Sequence, residues 1–422
     1  MTSDIVSLII FVICIGLFVW DKLPMATTAV IGCVAMVVFN VCDFKTAFGQ
    51  FSSSTVILTI GVMIIGGAIA ETGLSRAIGN WIIKISKGSE TKLMIGTYLV
   101  SAGMSAFLTN SAVLAIFIPI IIGLSSTGEI KVKNLIMPIA LACIIGGAST
   151  LVGSTQQMTA QGLLEAEGLR LFKTFDFSLI GVILLAIGLL YCVFIGRKRG
   201  MKIWGNRLNE DIDFDIPEIT ENSSKVKMYI MAGIFSVSVL FYITEWVPLA
   251  VTSTACAVLC IVTGSITQKK AFSSVNWNIV IRLAGCLGLA KALEVSGGTN
   301  LIADGFKWLV GDKMSPYLIF CLLVLLVQLL SEFISNSTAI LIVLPIVLVI
   351  APDLGLNSYA FALGITLASG VSCSSPLASS TMGMSMCVGY KFNDYFKYSF
   401  PLDIIMYLTI IILVPLFYGL TI

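Results

Sequence analysis

The sequence predicts an all-α integral membrane protein built as an inverted repeat. About ten transmembrane helices, two re-entrant hairpins and discontinuous helices between them are expected. Three observations carry that prediction. The 422-residue chain is 57% hydrophobic and 11% charged, with mean hydropathy +1.01, where a soluble domain carries about 25% charged residues. Apolar runs of spanning length, about 16 to 20 residues, recur from end to end. One unusual segment also occurs twice, as SAFLTNSAVLAIFIPI from Ser105 and as SEFISNSTAILIVLPI from Ser331.

In the first half Ile5–Trp20, Leu23–Val41 and Thr55–Ala70 read as spans. No Lys or Arg precedes the first run, so it is expected to stay as a spanning helix rather than be cleaved as a signal peptide. An amphipathic stretch, Leu74–Ser86, leads to two apolar arms, Leu93–Leu108 and Ala112–Leu124, broken at Thr109-Asn110-Ser111. A glycine-interrupted segment, Leu135–Leu164, and a span at Phe177–Ile195 follow. The second half repeats the order: Met228–Ile243, Val247–Val262, Ile279–Leu293, an amphipathic stretch Leu301–Val310, arms Tyr317–Ile334 and Thr338–Ile350, a broken segment Tyr359–Val388, and a span Pro401–Leu420. Matched residues outside the hairpins support the duplication. Pro24 meets Pro248, Gly61 meets Gly285 and Gly73 meets Gly297 at an offset of 224, and Gly147 meets Gly370 at 223.

The arms are short for spanning, and their polar tips cannot face lipid, where an unsatisfied polar group is costly. They are therefore expected to be hairpins that stop near mid-membrane. Each half then has an odd number of crossings, and the second sits upside down relative to the first. Charge tests this topology. With Arg197–Lys202 placed in the cytoplasm, 18 of the 25 Lys and Arg residues fall in inside loops and 5 in outside loops, as the positive-inside rule requires. Both termini then lie outside the cytoplasm, and the location is an integral, bacterial-type plasma (inner) membrane. The expected organisation is repeat one at 1–195 (scaffold about 1–91, moving part with hairpin about 92–195), a cytoplasmic linker at 196–227, and repeat two at 228–422 (scaffold about 228–315, moving part about 316–422).

Composition excludes several functions. No histidine is present, which removes Ser-His or Cys-His nucleophiles and His-metal sites. The eleven cysteines are scattered without a CxxC, and Cys256 and Cys260 read as packing residues. A net charge of +2 gives no reason to expect a nucleic-acid partner. The chain does not read as an enzyme. At a hairpin tip, however, free N–H groups and the positive end of the second arm favour an anion. Free carbonyls ending the first arm, with Ser and Asn oxygens, suit a small hard cation such as sodium. Segments Gly146–Met158 and Ser369–Met384, dense in Gly, Ser, Thr and Pro, would supply the facing wall.

SEFISNSTAILIVLPI resembles the Glu-aromatic-x-Ser-Asn-Thr hairpin signature of the divalent-anion:sodium symporter family, carriers of di- and tricarboxylates and sulfate. SAFLTNSAVLAIFIPI resembles that family's first hairpin, and WNIVIRLAGCLGLAKALEVSG the segment before its second. The resemblance covers essentially the whole chain. It implies one sodium site at Ser105, Thr109, Asn110 and Gly153, and another at Ser331, Ile334, Asn336 and Ala378. It places the substrate on Thr109-Asn110-Ser111 and Ser335-Asn336-Ser337, with Ser154-Thr155 and Ser379-Ser380 in the broken segments. The sequence departs from the family in having Ser at the third position of both triplets, and in lacking the prolines of the broken segments.

The expected function is sodium-coupled symport of a small divalent oxyanion, most simply a succinate-, malate- or citrate-class carboxylate. The resemblance implies two or more sodium ions, a homodimer in the lipid bilayer and an elevator motion. With no Lys or Arg at the tips, bound cations and helix ends are expected to create the anion site. A sodium-independent dicarboxylate exchanger, a sulfate or other inorganic-anion symporter, and a cation/proton antiporter are the alternatives. Glu332 is read as structural. Arg282 could pair with a carboxylate, line a watery cavity or snorkel; the sequence leaves this open.

Overall fold

The computed structural model describes residues 2–20, 23–74, 77, 89–125, 131–205, 224–299, 301, 315–377 and 379–421. Ala378 and most of the two amphipathic stretches lie outside them. The first half contains α1 (Ser3–Trp20), α2 (Met25–Val38), α3 (Phe44–Phe48), α4 (Ser54–Glu71), α5 (Glu90–Ser105), α6 (Asn110–Ser125), α7 (Val132–Gly147), α8 (Thr155–Ala166) and α9 (Ser178–Trp204). The second contains α10 (Lys225–Thr244), α11 (Leu249–Val262), α12 (Gln268–Ser274), α13 (Trp277–Val295), α14 (Pro316–Phe333), α15 (Asn336–Asp353), α16 (Ser358–Gly370), α17 (Ser380–Ser385) and α18 (Phe392–Tyr418). The halves correspond element by element, and the described residues hold no strand.

Local chemistry explains many of the boundaries. Asp43, Ser89, Thr267, Asn276, Ser315, Ser335 and Asn357 each cap a helix by accepting a backbone N–H in its first turn, which satisfies one of the donors a helix start leaves free. The matched glycines Gly73 and Gly297 follow the ends of α4 and α13 with φ of 73° and 82°. That left-handed turn is the reason both copies need glycine there.

Two packed bodies result. In one, α4 lies on α11 and α13 on α2, so equivalent helices of the two halves swap partners. At Gly61 an added Cβ would lie 2.7 Å from the Ser253 backbone, so only glycine allows that approach. In the other body α7 and α16 form the centre. Every residue from Ala360 to Gly370 is buried, as is nearly all of α7, with the hairpins α5–α6 and α14–α15 packed against them. Helix α8 touches both bodies, contacting α4 and α13 on one side and α15 and α16 on the other.

Among the described residues five helices are long and apolar enough to cross a membrane: Phe44–Glu71, Ser178–Trp204, Lys225–Thr244, Pro316–Phe333 and Phe392–Tyr418. Exposed apolar residues at helical spacing, such as Phe396, Phe400, Ile404, Leu408 and Ile412 on α18, form the stripe expected against lipid. Two readings change. The segment expected to be linker from residue 196 begins as helix, because α9 continues through a π-helical turn (Tyr191–Gly196) to Trp204. Trp204 is buried against Tyr390 and Tyr398 and donates to Asn134, and this anchoring extends the helix. The arm α14 has the expected 18 residues, but at about 27 Å it is close to the hydrocarbon thickness rather than short of it. Its tip makes it half of a hairpin: Ser335 lines the same cavity as Asn110.

Candidate functional site

Both tips and both breaks open on one cavity of about 820 Å³. From the first hairpin come Thr109, Asn110 and Ser111, and from the first break Gly153, Ser154 and Thr155. The second hairpin supplies Ser335, Asn336 and Ser337, and the second break Ser379 and Ser380. All ten residues expected around the substrate therefore share one chamber. Its floor is deep in the protein, and its exposed lining residues are Pro24, Ala115, Asn276, Asn278 and Ser380.

Helices α6, α8 and α15 begin at this chamber, at Asn110, Thr155 and Asn336. Free N–H groups and positive helix ends thus converge where apolar arms would otherwise meet. Ser337 Oγ donates to Thr155 Oγ1 at 3.0 Å, tying the second hairpin to the first break.

The first sodium expectation can be tested against local chemistry. Asn110 Oδ1 accepts from Ser105 Oγ at 2.7 Å, and it also faces Cys143 O at 3.1 Å and Gly153 O at 3.3 Å. A side-chain oxygen surrounded by oxygens either turns its amide nitrogen inward or meets a cation. Three further carbonyls, of Gly147, Ser105 and Ala106, lie 2.6, 2.8 and 2.9 Å from where a Cβ on Gly153 would sit. This oxygen-rich cradle exists because residue 153 has no side chain, and such a donor set fits a hard monovalent cation. Thr109 borders it from the cavity.

At the second tip Ser331 Oγ meets Ser369 Oγ at 2.9 Å, and Ser369 donates to Asn336 O at 2.9 Å. Asn336 Oδ1 is buried without a donor. Ile334 ends α14 in extended backbone, which leaves its carbonyl outside the helix ladder. These oxygens fit a cation as well; Ala378, expected to complete the set, lies outside the described residues.

Two features go beyond the sequence reading, which left the place of the first open and did not single out the second. Arg282, on α13, lines the chamber, and its Nη1 donates to Ser335 Oγ at 3.3 Å. The expectation of tips without fixed positive charge is therefore corrected: a guanidinium from a helix outside the hairpins reaches one of them. The second is Asp403 on α18, which accepts from Cys373 N at 3.2 Å and from Ser374 Oγ, and which faces the Glu332 carboxyl. The Glu332 carboxyl is buried there beside Asp403 and the backbone of Cys373, Ser374 and Ser375, consistent with a supporting place behind the tip.

At the far end of α8 the two bodies are joined. The Glu165 carboxylate accepts from Ser54 N, Thr55 N and Thr55 Oγ1 at 3.3, 3.3 and 2.8 Å, capping α4. Lys291 of α13 donates to Ala166 O at 2.7 Å, closing the end of α8, and pairs with Glu294 at 2.6 Å. Nearby Glu167 is pushed up to about 7, by burial first and then by Glu294, against the opposing effect of Lys291.

Broken helices, paired hairpins and a chamber between two halves define a membrane carrier of inverted-repeat architecture. Comparison with known proteins makes the class specific. The citrate transporter family model (CitMHS) matches residues 15–314 and 239–421, and the chain belongs to that family. It is 21% identical to the uncharacterized transporter sll0640 of Synechocystis, over 98% of this chain and 97% of that one. It is 22% identical to the sodium-dependent dicarboxylate transporter SdcS of Staphylococcus saprophyticus, over 86% and 77%. The fold matches the Alcanivorax borkumensis YdaH transporter with a TM-score of 0.66 at 14% identity, covering 89% of this chain and 88% of that one.

Proposed function

We propose that this carrier moves a di- or tricarboxylate together with sodium, as a homodimer, by a motion that carries the hairpin body (about 92–195 and 316–422) past the other helices. One observation carries the proposal: each hairpin tip joins a helix N-terminus, suited to an anion, to a cluster of hydroxyl, amide and carbonyl oxygens, suited to a cation. Cations beside the helix ends raise the local positive potential at the buried floor of the chamber, so each ion strengthens binding of the other. The staphylococcal relative, a sodium-dependent dicarboxylate transporter by name, supports the same pairing of ions.

The chamber opens toward the face carrying Lys269 and Lys270, next to exposed Asn276, and the clasp at Glu165 and Lys291 closes the other end. With the basic face in the cytoplasm, this is the inward-open state. A sodium-independent exchanger is the second reading. Arg282 favours it, because a fixed guanidinium offers charge without a bound cation.

The deciding experiment loads purified protein into liposomes and follows labelled citrate and succinate under a sodium gradient, a potassium gradient, and equal salt with unlabelled substrate inside. Uptake driven only by sodium supports symport. Counterflow of equal size without sodium would establish exchange and end the sodium-coupled reading.

A further inference from the structure

Arg282 is the feature the proposed function leaves unexplained. Its guanidinium has five donors, yet among the described residues it makes one hydrogen bond to oxygen, at Ser335 Oγ, and a weak one to Met25 Sδ at 3.6 Å. No carboxylate pairs with it among the described residues, although Glu332 and Asp403 lie behind the same tip and Lys291 nine positions along its own helix has Glu294. A cation at membrane depth without a counter-ion is expensive, and such residues face a ligand or a watery path. Arg282 faces the chamber, and it also borders a tight crevice with Thr59, Thr155 and Ser337. It therefore stands beside the place where the second hairpin meets the first break.

We infer that Arg282 is a substrate-binding residue, holding one carboxylate of the anion in its planar fork while another carboxylate rests on the helix starts at Asn110 and Asn336. The inference rests on the reading that the chamber takes a small polycarboxylate, and it adds how that anion is selected. Guanidinium and carboxylate match in two parallel hydrogen bonds. A ligand with one carboxylate can satisfy only one of the two places. Because α13 lies in the opposite body from the hairpins, the bound anion bridges both bodies in this state. Ser335 is the pivot: it gives Arg282 its one oxygen acceptor among the described residues and also caps α15 through Thr338 N at 3.3 Å.

The test is thermal stabilisation of the purified full-length carrier by citrate and by succinate, with and without sodium, for wild type, Arg282→Gln and Arg282→Lys. In sodium, citrate should raise the melting temperature of wild type. In Arg282→Gln the citrate concentration giving half the effect should rise about ten- to hundredfold, the range for a lost charge-assisted hydrogen-bond pair. Arg282→Lys, a point charge without the fork, should fall between them, and it carries the test should the Gln variant fail to fold. An unchanged half-effect concentration in both variants overturns the inference; if sodium is still required, the symport reading stands. Stabilisation of wild type without sodium, lost in Arg282→Gln, upholds the inference and removes sodium coupling instead. No effect of either acid on wild type overturns both.

Discussion

The two hairpin tips share one plan and differ in charge. At the first, every group is neutral: Asn110 meets the Ser105 hydroxyl and faces the carbonyls of Cys143 and Gly153. At the second, Arg282 touches Ser335 in front, and Glu332 and Asp403 face each other behind. At the offsets of the repeat, these three charged residues fall on Leu58, Ala106 and Ile180 in the first half. The duplicated frame thus supplies the breaks and helix ends, while charge was added to one copy only. A neutral cage of oxygens suits sodium, whose affinity comes from coordination geometry. A tip approached by a guanidinium suits the anion. Pseudo-symmetric halves, then, need not have equivalent roles.

The contrast between the tips is tested most directly at the two asparagines. Asn110→Ala and Asn336→Ala should each lower sodium-driven citrate uptake by more than about tenfold without loss of membrane insertion. Near-wild-type uptake rates in both would refute the site. Next in size, Gly153→Ala puts a methyl among three carbonyls closer than 3.0 Å. It should raise the sodium concentration for half-maximal uptake about tenfold and leave the citrate response, measured at saturating sodium, much less changed. An equal shift in both would mean that the first tip does not specialise in the cation.

The acidic pair gives a smaller effect. Asp403→Ala leaves Cys373 N and the Ser374 hydroxyl without their acceptor, a loss of about 1–3 kcal/mol in stability. Asp403→Asn keeps an acceptor and should cost less than half as much; melting temperatures of the two variants decide this. The smallest expected effect is at Glu167. Its carboxyl holds a proton in the folded protein up to about 7, against 4.5 for the unperturbed group. The folded state therefore binds more protons between these values, and stability from this group falls as pH rises from 4.5 to about 7. Glu167→Gln should flatten that decline in melting temperature; identical pH profiles would exclude it.

How much of this was legible follows from what makes a residue conspicuous. Asn110 and Asn336 stand out because polar residues between apolar arms are costly in lipid, and because they occur twice. Gly153 and Ser154 were legible through the same density of small polar residues. Arg282 was visible, but its role was not: a lone Arg in an apolar run has the same sequence appearance whether it snorkels, pairs or faces a chamber. Asp403 was overlooked because Ile180 occupies its place in the other half, so the repeat gave no reason to single it out. Its partner Glu332 is 71 positions away, and only the packing of α14 on α18 brings the carboxyls together. The end of α9 was misjudged for a similar reason. Basic residues 197–202 look like solvent-exposed linker until Trp204, beyond them, is seen to be buried among tyrosines.

Helix α8 starts at the chamber and ends in the grip of Glu165 and Lys291. Whatever separates it from α4 and α13 must first release three hydrogen bonds to a carboxylate and one from an ammonium. Each of these joins a charge to a dipole rather than to a second charge, so dissolved salt screens them little. Turnover limited by that release would respond to sodium and substrate but hardly to the ionic strength of the bath.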